Sequence, residues 1–162
     1  MNNYCLRRLR YAFSMNDKTV LSIFRLVNYK LTPTELKRYL AREEADEFVL
    51  LPDYLLVIFL DGFIQSNRGK REAELEHSQS ERVKMAKAIR LSNNLILNKI
   101  KIALALKSDD LIELLSLADF RISNAELSAF FRKPSHRNFR ECGNQLLRNL
   151  LTGITLKYRD KK

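Results

Sequence analysis

The apolar positions of this chain fall at the i, i+3, i+4, i+7 spacing of amphipathic helices, and the same pattern occurs twice. Cys5, Leu6, Leu9, Ala12 and Phe13 form a stripe that Ile96, Leu97, Ile100, Ala103 and Leu104 repeat 91 residues later. A second stripe, Val20, Leu21, Phe24 and Val27, returns as Leu111, Ile112, Leu115 and Ala118, with Asp17 and Ser108 as expected N-caps. Thr32-Pro33-Thr34-Glu35 and Ser123-Asn124-Ala125-Glu126 both read as capping boxes. Each predicts a third helix, over about 33–42 and 124–133. Pro52 and Gly143 stand near the start of a fourth, which carries Leu55, Leu56, Phe59, Leu60 and Phe63 against Leu146, Leu147, Leu150, Leu151 and Ile154. That helix is apolar over much of its circumference, so it is expected at the centre.

Residues 2–70 and 93–161 therefore align without a gap, with 14 identities in 69 positions. Polar residues stay in step as well: Asn2 and Asn3 with Asn93 and Asn94, Glu35 with Glu126, Arg68 with Arg159, Lys70 with Lys161. Two helical stretches alike only by chance would not preserve these, so the chain is read as a tandem duplication. The expected fold is all-α, two copies of a four-helix unit of about 70 residues packed as a pseudo-two-fold pair, because a unit that short is near the limit for a self-sufficient core. The expected organisation is 1–70, a partly helical linker at 71–92, and 93–162. In the linker, Glu72, Glu74 and Glu76 look solvated, whereas Val83, Ala86 and Ile89 are spaced for a helix. Val57 and Ile58 give the first unit apolar surface where the second has Arg148 and Asn149, and the 83–89 segment or a second subunit is expected to cover it. Gly62 and Gly153 recur inside the fourth helix, where glycine costs about 1 kcal/mol relative to alanine. A close helix crossing is expected there.

The self-alignment also weighs the candidate chemistry. Cys5 and Cys142 pair with Ile96 and Leu51, so both are expected to be buried packing residues and not a disulfide. A Cys142, His136 and Glu141 nucleophile set can be composed from one loop, yet sequence proximity does not supply triad geometry, and a surface histidine with a core cysteine is the plainer reading. Glu43, Glu44, Asp46 and Glu47 read as a solvated helix end, lacking spaced partners for a cation. No phosphate loop, nucleophile elbow or zinc motif is present, and no catalytic residue, metal or cofactor is expected. Arg7 and Arg8 precede any apolar stretch, and the longest strongly apolar run, 54–60, is far short of the ~20 residues that span a bilayer. No signal peptide and no membrane partner are expected, and the cytoplasm is the expected location.

Charge supplies the functional expectation. Lys and Arg number 29 against 19 Asp and Glu, a formal net charge of +10, which favours polyanionic partners. Residues 93–161 carry 12 basic against 7 acidic residues, and residues 2–70 carry 11 against 8, so the second copy is the more basic. The copies diverge most where Glu43, Glu44, Ala45, Asp46 and Glu47 meet Pro134, Ser135, His136, Arg137 and Asn138. The candidate nucleic-acid-binding residues are Arg8, Lys99, Lys101, Arg121, Arg132, Lys133, His136, Arg137 and Arg140. Helices two and three of each unit are compatible with a helix-turn-helix, although Glu35 and Glu126 would then face phosphates. The expected partner is DNA or RNA; the alternative is a homo-oligomer or another protein, with an unrecognised enzyme third.

The stretch His136-Arg137-Asn138-Phe139-Arg140-Glu141-Cys142-Gly143-Asn144-Gln145-Leu146-Leu147-Arg148, with Leu9-Arg10-Tyr11 and Lys107-Ser108-Asp109-Asp110, resembles the YehS-like family of bacterial proteins of unknown function. The resemblance covers both units. It implies a duplicated helical protein of the bacterial cytoplasm and brings no catalytic residues with it.

Overall fold

A computed structural model describes residues 1–69 and 77–159; Lys70, Lys161 and the acidic positions 72–76 lie outside it. Among the described residues there are nine helices and no strand. They are α1 (Asn2–Ala12), α2 (Asp17–Leu26), α3 (Pro33–Leu40), α4 (Asp53–Arg68), α5 (Gln79–Lys87), α6 (Asn93–Ala103), α7 (Ser108–Leu117), α8 (Asn124–Ala129) and α9 (Asn144–Tyr158). α1 to α4 and α6 to α9 are the two copies, and α5 belongs to the segment between them.

The helix starts follow local chemistry. Thr32 and Ser123 each accept the N–H of the glutamate three residues on, and Glu35 and Glu126 reach back to the cap, so both capping boxes are formed. The second helices begin one residue earlier than expected, at Asp17 and Ser108 themselves. Asn16 Oδ1 accepts the Thr19 N–H at 2.8 Å and takes the cap position, leaving Asp17 as the first helical residue. In the second copy Lys107 has no acceptor to offer, and Asp110 instead accepts the Lys107 N–H at 2.8 Å. The first two helices of each unit end in left-handed residues at matching positions, Ser14 with Ala105 and Asn28 with Asp119.

The third helices are shorter than the periodicity predicts, because the following loop folds back over their last turn. Val49 donates its N–H to Arg38 O, and Arg140 donates its own to Ala129 O. Asn3 Nδ2 donates to Tyr39 O at 3.0 Å and Val49 O at 2.9 Å, and its Oδ1 accepts the Leu51 N–H at 2.9 Å. Asn94 makes the same three bonds to Phe130, Arg140 and Cys142. Asn2 and Asn93 add a pair each, to Leu51 O and Asp53 and to Cys142 O and Asn144. The tandem asparagines kept in both copies are thus clamps that tie the loop before the fourth helix onto the first.

Packing makes the two units interdependent. α1 lies mainly against α9 and α6 against α4, more closely than either lies against the fourth helix of its own unit. The exchange is reciprocal, and one apolar core runs through both copies. α2 crosses α4, and α7 crosses α9, at the shared glycines: a Cβ on Gly62 would sit 2.3 Å from Ile23 O, and one on Gly153 would sit 1.9 Å from Leu114 O. Ile23 and Leu114 are themselves an aligned pair. α5 packs on α4, with Ala86 buried and Val57 and Ile58 fully covered; Ile89 stays exposed. Hydrogen bonds from Asn28 to His77 O and from Lys30 N–H to Gln79 dock this segment on the first unit. Both cysteines are free and buried, and burial pushes the Cys5 thiol up to about 12 and the Cys142 thiol to about 11.

Candidate nucleic-acid interface

The loops between third and fourth helices share a backbone and differ in side chains. In the first copy Ala45 N–H donates to Arg42 O and Phe48 N–H to Ala45 O; in the second, His136 N–H donates to Lys133 O and Phe139 N–H to His136 O. With the asparagine clamps, these bonds give both loops one course. The most divergent stretch of the duplication is therefore a change of chemistry on a retained scaffold.

That scaffold gathers cations in the second copy. Arg132, Arg137 and Arg140 line one open cleft of about 430 Å3 together with Phe139. Its one carboxylate, Glu126, is engaged by Ser123 in the capping box. A second groove of about 400 Å3 shares Arg132 and Phe139 and continues past Phe131, Lys133 and Arg90. Lys101 joins this surface from α6, its Nζ 5.4 Å from the centre of the Phe131 ring. The corresponding cleft of the first copy, about 480 Å3, is lined by Arg7, Leu40, Arg42, Glu43 and Glu44, so its charge is mixed.

His136 is exposed on this face. Asn138 donates its N–H to His136 Nδ1 at 3.0 Å. Nε2 faces Arg132 Nη1 at 3.2 Å. The Cys142 Sγ turns to Gly143 O at 3.6 Å, and both ring nitrogens of His136 face Asn138 and Arg132. Among the described residues no group of three or more His, Cys, Asp or Glu is placed to hold a metal ion, and no helix is long and apolar enough to cross a membrane.

Of the nine candidates read from the sequence, six share this face: Lys101, Arg132, Lys133, His136, Arg137 and Arg140. Arg121 is exposed on the turn between α7 and α8, outside the lining of the clefts. Arg8 and Lys99, an aligned pair, lie in the seam between the units. Lys99 Nζ meets Asp61 at 2.5 Å, with 15% and 23% of the two side chains exposed, and Arg8 donates to Thr155 Oγ1 at 3.1 Å. Their shared charge has a structural cause, and they do not belong to the candidate interface. Arg159 is likewise engaged with the other unit, stacking 3.8 Å from the Tyr11 ring and donating to Tyr11 O at the surface. Arg90 is the residue that sequence reasoning left out of the site, since it precedes the second unit and has no aligned counterpart. Phe131, expected inside the third helix, lies in the turn after α8 and is half-buried.

These features define a class: a duplicated, intertwined all-helical protein whose copies share a scaffold and differ in the charge of one loop. The chain belongs to the family described as "Protein of unknown function (DUF1456)", whose model matches residues 2–69 and 93–160. It is 36% identical to the uncharacterised protein YehS of Escherichia coli (strain K12) over 162 residues, 100% of this chain and 99% of that relative. No solved structure matches it.

Proposed function

We propose that this protein is a non-enzymatic nucleic-acid-binding factor that holds the phosphate backbone on the basic face of its second copy. The observation that carries the reading is the convergence of Arg132, Arg137 and Arg140, drawn from two sides of one loop, on a cleft whose only carboxylate is occupied. Guanidinium groups suit this task because their planar fork matches phosphate oxygens in bidentate fashion. The open shape of the cleft fits a ligand that passes across it, as a backbone does, better than an enclosed small molecule.

Electrophoretic mobility with DNA and RNA at rising salt tests this. Binding at ~50 mM salt that falls steeply by ~200 mM is expected, since each neutralised phosphate releases counterions. Absence of any shift at ~50 mM salt would end the reading. One observation favours a protein partner instead: Leu50, 73% exposed, stands beside the acidic loop of the first copy with the half-exposed Val49. A light-scattering mass above that of one chain, lowered by Leu50→Asp, would move the assignment to self-association.

A further inference from the structure

The basic face carries an aromatic surface that phosphate binding alone does not use. Phe131 and Phe139 line the same groove as Arg90, Arg132 and Lys133, and Phe139 also lines the arginine cleft, so the two depressions meet along one wall. Both rings are partly buried, each with an edge left open to the groove it lines. In the first copy the residue aligned with Phe131 is Leu40, and those aligned with Arg132, Arg137 and Arg140 are Ala41, Asp46 and Val49. The ring at 131 and the three cations thus occur together in one copy and are absent together from the other, although the loops share their backbone hydrogen bonds.

Alternating cations and aromatic faces have a defined complement. A base stacks on a ring whatever its identity, while the neighbouring phosphates pair with Arg and Lys. A duplex keeps its base faces against one another and offers a recessed phenylalanine nothing; an unpaired strand can turn a base into the groove. We propose that the ligand of this face is single-stranded nucleic acid, with one base stacked on Phe131 in the groove and the phosphates on either side held by Arg132 and Lys133 and by Arg137 and Arg140. Lys101, already against the Phe131 ring, fixes that ring and adds a cation beside the stacked base. This inference rests on the nucleic-acid reading above and specifies which strand state it concerns.

Fluorescence anisotropy of the full chain with labelled 12-nucleotide uridine and thymidine strands, and with a duplex of equal length, separates the two. The single strands are expected to bind about tenfold more tightly than the duplex at ~100 mM salt. Phe131→Leu, which installs the first copy's residue, is expected to weaken single-strand binding about five- to tenfold with the salt slope unchanged and duplex binding unaltered. Its far-ultraviolet circular dichroism and melting temperature establish that the variant is folded. Equal affinity for duplex and single strand, or a folded Phe131→Leu variant that binds as the parent does, overturns base stacking and leaves the phosphate reading in place. Absence of binding to all three probes overturns both.

Discussion

Asn3 holds Leu51 by its backbone, accepting that residue's N–H at 2.9 Å, and Asn94 holds Cys142 at the same distance. Each asparagine spends its amide on two carbonyls of the preceding stretch as well, so three backbone groups depend on one side chain. Asn3 is buried, with 4% exposure, whereas Asn94 is half-buried. Asn3→Ala would strand a donor and two acceptors away from water and is expected to cost about 3 kcal/mol. Asn94→Ala should cost about half of that, because water can replace part of what is lost. Urea denaturation of both variants checks the order; equal costs would mean the clamp is not what burial makes it.

The glycine crossings give a sharper test. Alanine is the better helix former by about 1 kcal/mol, so propensity alone says that Gly62→Ala and Gly153→Ala should stabilise. Contact says otherwise, since the added carbon would meet the carbonyl oxygen of Ile23 or Leu114, backbone atoms that cannot rotate aside. Both substitutions are expected to destabilise by about 3 kcal/mol or more, Gly153→Ala the more severely. A rise in melting temperature for either would show that the helices separate at little cost.

Ala105 is held at φ 53°, in the left-handed region that disfavours a Cβ, at the point where α6 gives way to α7. Ala105→Gly removes that strain and is expected to add about 0.5–1 kcal/mol of stability. Asp119→Gly at φ 58° should gain less, because aspartate tolerates this conformation better than alanine. Thermal melts of the two variants give the comparison.

Much of this architecture is legible in the sequence because the duplication lets each copy vouch for the other. The stripes, the capping boxes, the glycine crossing and the packing role of both cysteines all follow from aligned pairs. What was not legible is what the chain does between copies. Nothing in the Arg8 and Lys99 pair distinguishes a phosphate contact from a seam contact, since the decisive partners, Thr155 and Asp61, come from the other unit. The third helices looked longer than they are because nothing in the local sequence stops a helix before Arg42 or Lys133, while the clamp on their last turn comes from residues 36 positions earlier. Arg90 was hidden for the reason that made the rest readable: it falls outside the repeat.

The buried thiols set an alkaline limit. Burial raises Cys5 from its ordinary 9.0 to about 12 and Cys142 to about 11, so the fold favours their protonated forms. Below the unfolded value both states carry the proton and full stability is present. Above it the unfolded chain ionises first, and stability is lost as pH rises through the folded values. The urea midpoint should therefore fall between about pH 9 and pH 11. Cys5→Val, which moves towards the aligned Ile96, should flatten that fall; an unchanged slope would assign the alkaline loss to other groups, such as Tyr29, which burial also raises to about 12.

The cations divide into those that hold the seam and those that face outward, and substitution should separate the two roles. Lys99→Met leaves Asp61 without its ion pair between α4 and α6. It is expected to cost about 1–2 kcal/mol of stability, with no change in how nucleic-acid affinity depends on salt. Arg137→Gln removes an exposed charge that makes no fold contact comparable to that pair. It should leave the melting temperature within a degree or so and lower the salt slope by about 0.7–0.9, the value of one phosphate contact. The Arg132→Gln, Arg137→Gln, Arg140→Gln triple variant should lower it by about two to three. If Lys99→Met shifts the slope as much as Arg137→Gln does, the seam and the interface are one surface, and the division drawn between them fails.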